Sequence, residues 1–290
     1  MPILEREEYI EQAYFFHAFR ERVLDGVTTQ DVLARIGDEI LSTTRLPLAI
    51  AYINTEIKLS GLMGPALERL GHYFAPFQSY VLRRAEEEQG RFTIDQALLI
   101  LEREAKYRAD NPPRPGLFTY QFETISRNRL GYTSGLGAMA ADPLYDEDWH
   151  DYILTLRARL GDVDFADLIF VRSAYFVSEQ RKRTGDPAYQ PKFPALFGEK
   201  EGKIARANRG RDPVYLFSAL QRQLGYPEVP RPHRPDELEA RVGQLELRVK
   251  ELENRLKTAE AEGQGGLSID QLVVKPEDTA GVPTGWGDAP

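Results

Sequence analysis

The residues that could do chemistry are few, and most of their spacings fail a second test. Glu147 and His150 form an E-x-x-H, the spacing used in carboxylate-bridged diiron bundles, and Glu68 and His72 lie one helical turn apart. Those bundles take two such motifs and two further inward glutamates. The surrounding DPLYDEDWHD reads instead as Asp146 capping a helix, with acids in the first turn where the helix dipole favours them. Gly135, Gly137 and Ala140 fit G-x-G-x-x-A without an apolar strand before them. GEKEGK at 198–203 is one residue short of a phosphate-binding loop, and the serine of GYTSG at 131–135 is one place from that of a nucleophile elbow. Cysteine is absent and there are four histidines, of which His17 reads as a packed, hydrogen-bonded core residue. No catalytic residue, metal ligand or cofactor is assigned. An enzyme would have to work through carboxylates that the sequence does not single out.

Two charge patterns carry more. Between Arg181 and Arg211 stand nine Lys or Arg against three acids, inside a chain of net charge -8. Lys200, Lys203, Arg206, Arg209 and Arg211 could track phosphates without reading sequence. Between these cations the stacking aromatics of single-strand binders are missing. That favours a solvated loop, or one docked on an acidic surface of a neighbouring subunit, over nucleic-acid or phosphate binding.

The second pattern runs from Asp236 to Glu262. Leu238, Val242, Leu245, Val249, Leu252, Leu256 and Ala259 alternate by four and three, the 3.5-residue seam of a left-handed coiled coil. Val242, Val249 and Leu256 take position a, and Leu238, Leu245, Leu252 and Ala259 take d. Arginines 241, 248 and 255 then occupy g, and glutamates 239, 246, 253 and 260 occupy e. In a parallel, in-register assembly Arg241 faces Glu246, Arg248 faces Glu253 and Arg255 faces Glu260, whereas an antiparallel pair sets like charges together. Valine at a with leucine at d leans towards two strands. RVGQLE, RVKELE and RLKTAE, however, resemble the trimerisation motif of parallel coiled coils, in which a g arginine covers the core with its stem and forks to a neighbouring e glutamate. The third copy departs from it at Ala259. A parallel homotrimer is the first expectation and a homodimer the second.

The elements that position these residues read as helix after helix. The expected spans are 4–25, one following Thr28 with Asp31 three residues on, one with Pro47 in its first turn ending near Gly61, 65–71, 76–89, one opened by a Thr93–Gln96 capping box and reaching Asp110, 117–130, 134–141, 147–160, 165–183 and 213–224. NPPRPG at 111–116 reads as a break. Phe165 to Val177 is apolar on nearly every face, as a helix surrounded by others would be. Arg172 interrupts it, read as a rim arginine paired with Asp167 or Glu123, or else as an anion ligand. The fold class is all-α. A globular body spans 1–225, with the basic loop at 184–212. A proline-rich linker at 226–235 reads as an extended spacer holding the body off the coil. The coil spans 236–262, and a compositionally disordered tail covers 263–290. In that tail Leu267, Ile269, Leu272, Val273 and Trp286 are candidate contacts for a partner protein.

The acidic start, MPILEREEYIEQ, is unlike a secretory or transit peptide, and no apolar run approaches the roughly 20 residues needed to cross a bilayer. The chain reads as cytoplasmic and without membrane contact. The function expected is that of a non-enzymatic, self-associating scaffold or adaptor, with nucleic-acid or phosphate binding through 181–211 as the alternative.

Overall fold

The computed structural model describes residues 3–87, 92–231, 243, 245–250 and 252. Among them the chain is all-α, with two isolated backbone bridges and no strand. Met1–Pro232 forms one compact unit and His233–Pro290 a second. No helix of the described residues is long and apolar enough to cross a membrane.

In the first unit α1 (Arg6–Leu24) lies along α6 (Ile94–Ala109), the most extensive helix pair among the described residues. α1 supplies Phe15, Phe16 and Phe19, all buried, each adding about 1.5–3 kcal/mol by leaving water. It ends at Gly26, whose φ of 81° is left-handed. α2 (Thr29–Glu39) opens where Thr28 Oγ1 accepts from Asp31 N at 3.3 Å. It packs on α3 (Leu46–Ser60), and α4 (Gly64–Arg69) packs on α5 (Pro76–Glu86). The acidic face of α1 is not simply solvated. Glu11 accepts from Leu41 N at 3.1 Å, while Glu8 accepts from Arg45 N at 3.1 Å and from Tyr73 Oη at 2.6 Å. Burial, with Glu8 alongside, raises the Tyr73 phenol. α6 begins at the expected box, with Thr93 Oγ1 accepting from Gln96 N at 3.3 Å and Gln96 Oε1 from Thr93 N at 3.2 Å.

The most enclosed helix is α7 (Arg114–Asn128), with eleven of its residues buried. It starts inside the segment expected to be a break, because Pro113 and Pro115 sit at the N-cap and first turn, where a missing N–H costs nothing. α8 (Tyr132–Ala140) packs on α7 and on α9 (Glu147–Arg159), and Trp149 of α9 reaches α7 with its ring 5.2 Å from that of Phe118. The first glycine of G-x-G-x-x-A has a packing role: a Cβ on Gly135 would lie 2.6 Å from Ile125 Cδ1 of α7.

The expected central helix at 165–183 is two helices, α10 (Phe165–Val171) and α11 (Ala174–Thr184), and α11 buries none of its residues. A distant strand of chain causes the break. Arg172 O accepts from Leu196 N at 2.8 Å and Phe197 N at 3.0 Å, and Phe197 O accepts from Ala174 N at 2.8 Å. These bonds take carbonyl and amide groups that a continuous helix would use, and Ser173 Oγ recaps the chain by accepting from Phe176 N at 3.2 Å.

The basic loop expected at 184–212 contains a helix, α12 (Glu199–Ala207), which buries Glu201, Gly202 and Ala205. Gly202 is what lets α12 sit on the α10–α11 break, since a Cβ there would lie 2.7 Å from the Cβ atoms of both Ser173 and Tyr175. Gly202→Ala should therefore destabilise the body by about 1–3 kcal/mol despite alanine's better helix propensity. Chemical denaturation of the two proteins checks this, and a gain in stability would rule out the close approach. α13 (Pro213–Leu224) completes the set.

Residues 226–231 lie on the body and are not a free spacer. Tyr226 and Val229 are buried, Tyr226 Oη donates to Glu123 Oε2 at 2.6 Å, and Asn128 Nδ2 donates to Pro230 O at 3.3 Å.

Candidate functional site

The basic island is organised around the junction of α10, α11 and α12. Asp164 caps α10 by accepting from Ala166 N at 2.9 Å, and its other oxygen takes Gly210 N at 2.7 Å, tying the turn after α12 to the start of α10. Arg206 Nη1 donates to Glu179 Oε2 at 2.7 Å and to Tyr175 Oη at 3.3 Å. Its guanidinium lies 6.0 Å from the Phe170 centroid and 5.9 Å from that of Tyr175. The hydrogen bond to Glu179, first of all, holds Arg206 charged. Arg209 Nε donates to Asp167 at 2.9 Å. Between these helices opens a cleft of about 500 Å³ with Phe170 and Phe176 in its wall and Lys182, Arg183, Arg206 and Arg209 around it. Asp167 and Glu179 line it as well, so four cations face two carboxylates, each already bound to an arginine.

Of the five cations picked from the sequence, Arg206 and Arg209 line this cleft. Lys203 lies beside it, 5.5 Å over the Tyr175 ring and 3.8 Å from Glu199. Lys200 and Arg211 are exposed, and their side chains make no ion pair or hydrogen bond among the described residues. The aromatic partners were missed. Phe170, Tyr175 and Phe176 looked like core residues of one long helix, and the break at Ser173 turns them towards α12 and the cleft. Nothing periodic in the local sequence marks that break.

No family model, curated protein or solved structure matches this chain. Function must be read from its own geometry.

Other sequence candidates resolve into structural roles. Arg172 pairs with neither Asp167 nor Glu123. It donates to Pro194 O at 3.0 Å and lies 5.3 Å from both the Tyr152 and Phe193 rings, and burial lowers its pKa. Glu123 is taken by Arg127 and Tyr226, and Asp167 by Arg209. His150 Nδ1 faces Ala140 O at 3.0 Å, while Asp146 caps α9 by accepting from Trp149 N at 3.1 Å. His17 is not in the core. It is partly exposed on α1, 3.3 Å from both Glu21 and Glu102. A second cleft of about 480 Å³ lies between α5 and α8. In it Arg83 pairs with Glu68 at 2.9 Å, Arg84 with Glu87, and Tyr80 Oη donates to Leu130 O at 2.6 Å, while Arg84 Nε is buried without a hydrogen-bond partner among the described residues.

The expected association seam falls largely outside the described residues. Leu238, Arg241, Val242, Glu253, Arg255, Leu256 and Glu260 are there, as are the tail candidates Leu267, Ile269, Leu272, Val273 and Trp286. The described stretch 245–250 is helical. Leu245, Val249 and Leu252 are 58%, 51% and 57% exposed, and Glu246 and Arg248 are exposed beside them.

Proposed function

We propose that the chain is a cytoplasmic, non-enzymatic, self-associating scaffold. It assembles as a parallel homotrimer, with the homodimer as the second choice, through the coiled coil at 236–262. It presents its helical body and the segment 263–290 to a partner protein. The observation that supports this reading is that Leu245, Val249 and Leu252, at the a and d positions of the heptad, are more than half exposed on a helix within a single chain. Covering such a side chain is worth about 1.5–3 kcal/mol. The ordered g arginines and e glutamates select a parallel copy of the same helix as the cover. A coil of at most about four heptads, roughly 40 Å long, is short, and Gly243 subtracts about 1 kcal/mol per helix, so the body adds to the association.

Replacing Arg241, Arg248 and Arg255 together by glutamate sets acid against acid at every g–e pair. The mass from light scattering should fall to that of one 33.0 kDa chain. Mixing this variant with a chain carrying Glu246, Glu253 and Glu260→Arg should restore attractive g–e pairs between unlike chains, at every interface of a dimer and at two of the three interfaces of a trimer. A mass unchanged by the first triple substitution would show that the coil is not the assembly element.

A further inference from the structure

We propose that the cleft between α10, α11 and α12 binds single-stranded nucleic acid. Phosphates would sit among Lys182, Arg183, Arg206 and Arg209, with an unpaired base stacked on Phe176. Single-strand sites without sequence preference combine a cationic groove with aromatic faces on which bases stack. The cations were visible in the sequence, and the fold adds the aromatic faces. Phe176 lies in the cleft wall on a helix that buries none of its residues, and no cation covers its ring among the described residues. Phe170 meets it edge-on, with centroids 5.4 Å apart at 84°, which braces the ring and leaves it partly open.

The two carboxylates do not neutralise the groove. Arg209 meets Asp167 through Nε and Arg206 meets Glu179 through one Nη. A guanidinium has five N–H donors, so each arginine keeps terminal donors for phosphate. Lys182 is 3.8 Å from Glu179, a loose pair, and Arg183 makes no ion pair among the described residues. An opening of about 500 Å³ suits a nucleotide unit and disfavours a duplex, whose bases are stacked on one another and are not free to stack on a ring in the cleft wall. The cleft is complete within one chain, so the inference does not depend on the coil. Association would only add avidity.

The test is fluorescence anisotropy on the full chain at low salt. The probe is a fluorescein-labelled single-stranded oligothymidylate, compared with an abasic strand of the same length, a duplex, and unlabelled polyglutamate as competitor. The oligothymidylate should bind more tightly than the abasic strand or the duplex. The logarithm of its affinity should fall against the logarithm of salt with a slope of about -3, four cations each contributing about 0.7. Phe176→Ala should weaken oligothymidylate binding about tenfold and abasic binding hardly at all. Phe176→Leu, which keeps apolar volume on α11 but removes the aromatic face, should do the same and guards against a packing artefact. Arg183→Glu should weaken both strands and flatten the salt dependence. The proposal is overturned if the oligothymidylate does not bind, if the abasic strand binds equally well, or if Phe176→Leu leaves binding intact. Displacement by polyglutamate at equal charge would instead assign the cleft to an acidic peptide.

Discussion

Replacing Arg108 by methionine should cost the body about 3–5 kcal/mol, one of the two largest single-residue losses expected among the described residues. Its side chain is 1% exposed and lies between two acids whose side chains are both fully buried, Glu104 on its own helix and Asp142 just after α8. Nη2 donates to Glu104 Oε1 at 2.9 Å and to Asp142 Oδ2, which ties α6 to the turn before α9. Gln121 Nε2 of α7 reaches the same Glu104 oxygen at 2.7 Å, and Tyr145 Oη donates to Gln121 Oε1 at 2.8 Å. Two helices, α6 and α7, and the loop between α8 and α9 therefore share one polar centre inside an otherwise apolar body. Burial works against the charge of Arg108, but Asp142 and Glu104 outweigh it and hold the guanidinium protonated. Methionine fills similar space and leaves two buried acids without their cation. For a body of this size the melting temperature should fall on the order of 10 °C. A fall of a degree or less would mean that the network contributes little.

The same centre sets a pH dependence. Burial, first of all, pushes the Glu104 pKa up, with Asp142 adding to it and Arg108 pulling the other way. A carboxyl with a raised folded pKa binds its proton more tightly in the folded chain than in the unfolded one. The stability this gives is full below the ordinary value of 4.5 and is lost as pH rises through the raised one. Glu104→Gln keeps an oxygen for Arg108 and Gln121 and removes the titration. That variant should match the parent in acid and exceed it towards neutral pH. Glu86, half-buried at the start of α4 and shifted the same way, contributes equally to both proteins and cancels in the comparison.

The sequence spoke most clearly where structure is decided by neighbours within one turn. Thr28 with Asp31, Thr93 with Gln96, Pro47 and Pro213 each mark a helix start that the chain adopts. It was silent where distant segments compete. The split at Arg172–Ser173 depends on Leu196 and Phe197, more than twenty residues away, and no hydrophobic period encodes that. α12 was hidden because its buried face includes Gly202 and Ala205, small residues that register as loop composition yet are what close packing on Ser173 requires. The candidate cleft was half legible for the same reason. Its charges could be counted along the chain, while its aromatic wall exists only once α10 and α11 separate.

The segment after α13 gives the second large effect, because a stretch that looks like a spacer is part of the core. Tyr226 is 3% exposed, and its ring meets Tyr120 edge-on at 6.3 Å. Its hydroxyl donates towards Glu123 Oε2 at 2.6 Å and lies 3.0 Å from Phe217 O. Tyr107 Oη donates to Leu224 O at 3.1 Å just before it, and Arg103 donates to Glu228 O just after. Tyr226→Ala removes a buried aromatic and opens a cavity, so it should cost about 3–5 kcal/mol. Tyr226→Phe keeps the ring but leaves the buried Glu123 oxygen without its donor, and should cost about 1–3 kcal/mol. A free spacer would tolerate both changes with no shift in the denaturation midpoint. The ordering Ala worse than Phe worse than parent, read from urea unfolding, is what a docked strap requires.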